Sequence, residues 1–164
     1  METEAHAPPT GTVREETGRG RSGPTREQLG AWRSFLRAHA TITKVLESEL
    51  VAEQDLSLAA YDVLVQLAEA PDRRRRMTEL ADAVLLSRSG VTRLVDRLER
   101  AGLVTRSPVA NDGRGVAAEL TRAGLGRLRT ASRTHLRGIG THFAARLHED
   151  DLGALERISR RLAE

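Results

Sequence analysis

The chain has 164 residues, 39% hydrophobic and 30% charged, with 26 Lys plus Arg against 23 Asp plus Glu, which suits one ordinary globular domain. Cysteine is absent and no apolar run exceeds four residues, so disulfides, thiolate metal sites and a bilayer-crossing helix of about 20 residues are excluded. Aromatic residues make up only 2%; the core has to be aliphatic and helical, and without an apolar leader a cytoplasmic protein away from membranes is expected.

Residues 1–24 carry Pro8, Pro9, Pro24 and four glycines among few apolar side chains, a composition that cannot offset the entropy of ordering and reads as a disordered tail. Gly18 to Gly23 matches G-x-G-x-x-G, but without a strand before it or a helix after it the pattern cannot cradle a dinucleotide. From Thr25, with Gln28 at capping-box spacing, Leu29, Trp32, Leu36, His39, Ile42, Leu46 and Leu50 recur at helical intervals, predicting one long helix over 25–53. Ser57 opens a second helix that buries Tyr61, Leu64, Val65 and Leu67 and stops before Pro71. Arg73 to Arg76 then form a loop or a short edge strand. Thr78 is placed as the cap of a brief helix, and Ser87 as the cap of another that Gly102 ends.

Beyond Gly102 the apolar period falls to about two. Leu103 to Arg106 and Val116 to Leu120 read as paired strands around a turn-rich tip, Pro108 to Gly115. Thr121 caps a long helix carrying Leu125, Leu128, Leu136, Ile139, Phe143 and Leu147, and a last helix carries Leu152, Leu155, Ile158 and Leu162. The fold is therefore expected to be mainly α with a small β-hairpin wing. Residues 57–121 form a winged helix-turn-helix, and residues 25–53 and 122–164 supply more apolar surface than such a small unit can cover, so they are read as dimerisation helices.

In the helix that starts at Ser87, Val91, Leu94, Val95 and Leu98 fall at i, i+3, i+4 and i+7, which turns Ser89, Thr92, Arg93 and Asp96 outward, flanked by Arg88 and Arg97. Arginine can grip a guanine edge with two hydrogen bonds, hydroxyls serve bases or phosphates, and a helix N-terminus suits a phosphate oxygen. Between Arg73 and Arg114 ten arginines stand against five carboxylates, the footprint of a nucleic-acid surface. Arg114 on the wing tip suits the minor groove, with Asp112 orienting it or forming an Asx turn. Arg106 and the Arg73 to Arg76 run, Arg75 and Arg76 in particular, suit phosphates. His135 and His142, seven residues apart, lack the spacing of a metal pair and read as ordinary helix residues. No constellation for an enzyme, a metal or a cofactor is present.

The run Ser87-Arg88-Ser89-Gly90-Val91-Thr92-Arg93-Leu94-Val95-Asp96-Arg97-Leu98-Glu99-Arg100-Ala101-Gly102-Leu103-Val104, followed by Asp112-Gly113-Arg114 and Glu119-Leu120-Thr121, closely resembles the multiple antibiotic resistance regulator (MarR) family of transcription factors. Leu58 to Leu67 and Met77 to Ala81 are similar to the corresponding family segments, so the likeness runs from about Thr25 to the C-terminus. The resemblance implies a homodimer with interleaved terminal helices, each subunit binding half of an inverted repeat in double-stranded DNA. It also implies a small-molecule effector, anionic or phenolic, held between the dimerisation helices and the winged unit, where Trp32, His39, Tyr61 and Asp62 are the candidate contacts. Members that bind urate use a Trp, an Asp and arginines; Trp32, Asp62, Arg93 and Arg106 are comparable in type. A repressor relieved by such an effector is the leading expectation. The competing readings are an architectural DNA-binding protein with little sequence choice and a module that offers the basic face to an acidic protein.

Overall fold

The computed structural model describes residues 23–109 and 112–164, without the side chains of 112–114. The expected tail over residues 1–22 and the side-chain roles of Asp112 and Arg114 lie outside the described residues. Helix α1 (Arg26–Gln54) opens on the expected capping box: the Gln28 amide donates to the Thr25 hydroxyl at 3.2 Å, and the Thr25 amide donates to Gln28 Oε1 at 2.8 Å. Helix α2 (Leu58–Glu69) is capped by Ser57 and also anchored from α1, where Glu47 Oε2 accepts the Leu58 amide at 2.5 Å. It is the central helix, burying Ala60, Tyr61, Val63, Leu64 and Leu67.

After a 3-10 turn at Pro71–Arg73, the arginine run forms strand β1 (Arg74–Arg76). Helix α3 (Met77–Ala83) follows without a loop, so Arg76 holds the cap position and Thr78 lies inside the first turn. That corrects the expected Thr78 cap: the strand runs straight into the helix and leaves no residue between them to fold back. Helix α4 (Arg88–Arg100) comes next, with Ser87 accepting the Gly90 amide at 3.1 Å as expected. Gly102, at φ +71, turns the chain out of α4 into β2 (Val104–Val109).

Strand β3 (Asp112–Leu120) lies between β1 and β2, antiparallel to both, with Val104 opposite Leu120 and Arg74 opposite Glu119. The strands therefore extend into the stretch from Pro108 to Gly115 expected as a turn, β2 to Val109 and β3 from Asp112. Pro108 is accommodated because β2 is an edge strand, and the register shifts there. Thr121 caps α5 (Arg122–His142) through the Gly124 amide at 2.9 Å. Helix α5 stops at His142, before Phe143 and Leu147, and a 3-10 turn at Ala144–Arg146 leads to α6 (Glu149–Ala163). Helical spacing of Phe143 and Leu147 hides the break, which turns Phe143 toward Phe35 and Ile42 of α1 and Leu152 and Leu155 of α6.

One aliphatic core joins the helices α1 to α5 with the sheet: Leu50, Leu56, Val63, Leu64, Leu67, Leu80, Val91, Val95, Leu98, Val104, Ala118, Leu120 and Leu128 are all buried. Among the described residues no helix is long and apolar enough to cross a membrane. Polar contacts tie α1 to α5. Thr134, itself buried, donates to Glu53 and accepts from Gln54, both at 3.0 Å, and His142 Nε2 meets Glu49 Oε1 at 2.6 Å.

Candidate nucleic-acid interface

Helix α4 divides as its sequence dictates. Val91, Leu94, Val95 and Leu98 are buried against the core, while Ser87, Arg88, Ser89, Thr92, Arg93 and Arg97 are exposed on the opposite side. Ser87 keeps its hydroxyl near that of Ser89, at 3.3 Å, and Thr92 bonds back to the Arg88 carbonyl at 2.9 Å. Arg93, Arg97 and Arg100 line one groove beside Gly90 and Ala59. Arg100, absent from the residues singled out in the sequence, was reachable by its spacing: it stands seven positions after Arg93 on the same face.

The basic flank is less free than the sequence suggests. Arg74 reaches across the sheet to the Pro108 carbonyl at 2.6 Å, and Arg75 donates to Gln66 of α2 at 2.9 Å. Arg76 is exposed and stands 4.0 Å from Glu79. Arg106 departs furthest from the expected phosphate contact. Its guanidinium turns onto α4, 2.5 Å from Asp96 and 3.0 Å from Glu99, and donates to the Thr92 carbonyl at 3.1 Å; its amide donates to Glu99 at 3.2 Å. Between α4, the start of α3 and the wing lies a cleft of about 560 Å³ lined by Arg76, Met77, Thr78, Thr92, Arg106 and Val116. Thr78, expected only as a cap, thus borders the candidate interface.

The candidate effector residues are not gathered into one pocket. His39 and Asp62 share a groove of about 590 Å³ with Lys44, Glu47 and Leu58. Tyr61 does not line that groove; it is buried, its ring 4.5 Å from that of His135 and its hydroxyl 3.4 Å from Ser132. Trp32 stacks on Phe35 in the exposed first half of α1. The urate-type set is likewise dispersed, with Arg93 on the outer face of α4 and Arg106 paired to Asp96. Burial pushes the Asp62 carboxyl above its ordinary value; Glu47 adds to that, and His135 opposes it. Burial pushes His135 below the ordinary histidine value, against the pull of Asp62. Among the described residues no three ligating side chains converge on a metal position.

A family model described as MarR family matches residues 54–115, from the end of α1 to the wing. Over nearly the whole fold the chain is similar to Sco3205, a MarR family transcriptional regulator from Streptomyces coelicolor solved in complex with DNA. The two are 34% identical with a TM-score of 0.81, over 87% of this chain and 92% of that one. The chain belongs to the MarR family. A second MarR family regulator from Streptomyces coelicolor, AbsC, is 32% identical with a TM-score of 0.79, over 87% of this MarR chain and 95% of its own. The HTH-type transcriptional repressor YetL of Bacillus subtilis (strain 168) is 36% identical over 77 residues, which spans about half of either protein, 47% of this chain and 46% of YetL. The mostly helical fold with a three-stranded antiparallel sheet is the winged helix-turn-helix of that family.

Proposed function

We propose that this MarR-family protein is a homodimeric, sequence-specific DNA-binding regulator that acts in the cytoplasm as a repressor relieved by a small-molecule effector. The observation that carries the reading is the division of α4: an apolar side sealed in the core and a side bearing Thr92, Arg93 and Arg97 open to solvent, dimensioned for the major groove. The similar Sco3205 was solved with DNA, and YetL is named a repressor.

The dimer reading is supported by what the single chain leaves uncovered. Leu29, Trp32, Phe35 and Leu36 of α1 and Leu152, Ile158 and Leu162 of α6 are exposed, a surface that monomers rarely keep in water. A twofold partner laid on α1 and α6 would set the two α4 helices about 34–36 Å apart, one turn of DNA. The groove shared by His39, Lys44 and Asp62 at the α1–α2 junction is the candidate effector seat. An effector there would touch both the helices assigned to the dimer and the winged unit.

Selection of bound fragments from random duplex, followed by titration of the enriched duplex and a shuffled control, tests the reading. Arg93→Ala should weaken binding to the enriched duplex by about 1–3 kcal/mol and relax base choice. Equal losses on both duplexes would contradict base reading by α4. Comparable wild-type affinity for both would favour an architectural role.

A further inference from the structure

We propose that Arg106 is a positioning residue that latches the wing to α4 and masks two carboxylates there, and is not a phosphate ligand; the inference rests on the reading of α4 as the DNA-contacting helix. Asp96 and Glu99 lie three apart on α4, and both are partly exposed, with 41% and 38% of their side chains open. Unpaired, they would set two negative charges beside the duplex backbone. Strand β2 carries Arg106 back over α4 and places its guanidinium on both carboxylates and on the Thr92 carbonyl, while its amide donates to Glu99.

Four contacts thus converge on one residue, and the three made by the guanidinium depend on a fork geometry particular to arginine. Arg74 secures the same strand from the other edge of the sheet, through the Pro108 carbonyl. The wing is thereby tied to the helix at its base, so that wing and helix meet DNA as one rigid unit and little ordering entropy remains to be lost on binding. An Arg106 side chain committed to this network, only 24% exposed, has little freedom to reach a phosphate as well.

A double-mutant cycle separates latch from ligand. Arg106→Ala is measured alone and in an Asp96→Asn/Glu99→Gln background, on the duplex enriched by the wild type and on its shuffled control, across a salt series. The latch predicts at least a tenfold loss of affinity for the enriched duplex when the carboxylates are present, shrinking as salt screens them, and less than about threefold when they are neutral, with the salt slope unchanged in that neutral background. Equal losses in the two backgrounds, with a slope lower by about one, would make Arg106 a phosphate ligand and overturn the proposal. Arg106→Gln replaces the alanine variant if that one loses its cooperative melting.

Hydrogen exchange of the paired amides at 104–106 and 118–120 reads the latch without DNA. Arg106→Ala should speed their exchange at least fivefold, and unchanged exchange would also overturn the proposal. If the wild type binds neither duplex, the DNA-binding function falls, while the exchange result still decides whether the latch exists.

Discussion

Replacing Ile158 by Ala should weaken self-association by about 1.5–3 kcal/mol. Ile158 lies on α6 with 47% of its surface open in the single chain. Burying an isoleucine side chain fully contributes about 1.5–3 kcal/mol, so the open share leaves roughly 0.7–1.4 kcal/mol to be gained when a partner covers it. A twofold interface contains the contact twice, which brings the loss to about 1.5–3 kcal/mol, or about 10- to 150-fold in the dimer dissociation constant. Sedimentation velocity over a dilution series measures it. Trp32, the sole indole and 56% exposed in the single chain, gives a parallel signal, its emission moving to longer wavelength as dimers separate. A variant that dissociates at the wild-type concentration, or a wild type that sediments as a monomer at micromolar concentration, would refute the assignment of α6 to the interface.

Gly124→Ala should destabilise the fold by about 1–3 kcal/mol in denaturant unfolding, because an added Cβ would strike the Leu103 carbonyl oxygen and approach Leu120 Cδ1 to 2.7 Å. Leu85→Gly should stabilise it by about 0.5–1 kcal/mol, since Leu85 is 91% exposed at φ 54 in the α3–α4 turn and loses little packing when trimmed; a lower melting temperature would contradict this. His135 is held below its ordinary value by burial, so its contribution is fully present above the unfolded histidine value and is lost as pH falls through the lower folded value. Melting temperature should therefore drop on acidification below about pH 6.5, and His135→Gln should flatten that drop; an unaltered pH profile would contradict it.

The division of α4 into a buried and an exposed side was legible in the sequence because everything that defines it is local. Ser87 caps the helix, four aliphatic residues mark its buried side within two turns, and Gly102 ends it. The strand formed by Arg74 to Arg76 was open because its partner, β3, lies more than 40 residues away, and no local pattern specifies a partner so distant. The pairing of Arg106 with Asp96 was hidden for a related reason: the turn at Gly102 decides whether β2 passes over α4 or away from it. The separation of the four effector candidates comes from helix geometry. Tyr61 and Asp62 are neighbours on α2 and point about 100° apart, so Tyr61 packs its ring on His135 while Asp62 lines the groove. Trp32 and His39 share a face of α1 but stand about 10 Å apart along its axis, which keeps Trp32 out of that groove.

Methylation interference on the enriched duplex tests the central claim most directly, because a methyl group on guanine N7 occupies the major-groove edge that Arg93 would grip. The account predicts two clusters of blocked guanines, related by twofold symmetry and about 10 base pairs apart centre to centre. Binding that tolerates methylation everywhere and responds only to phosphate ethylation and salt would contradict it, since the outer face of α4 would then be contacting the backbone alone.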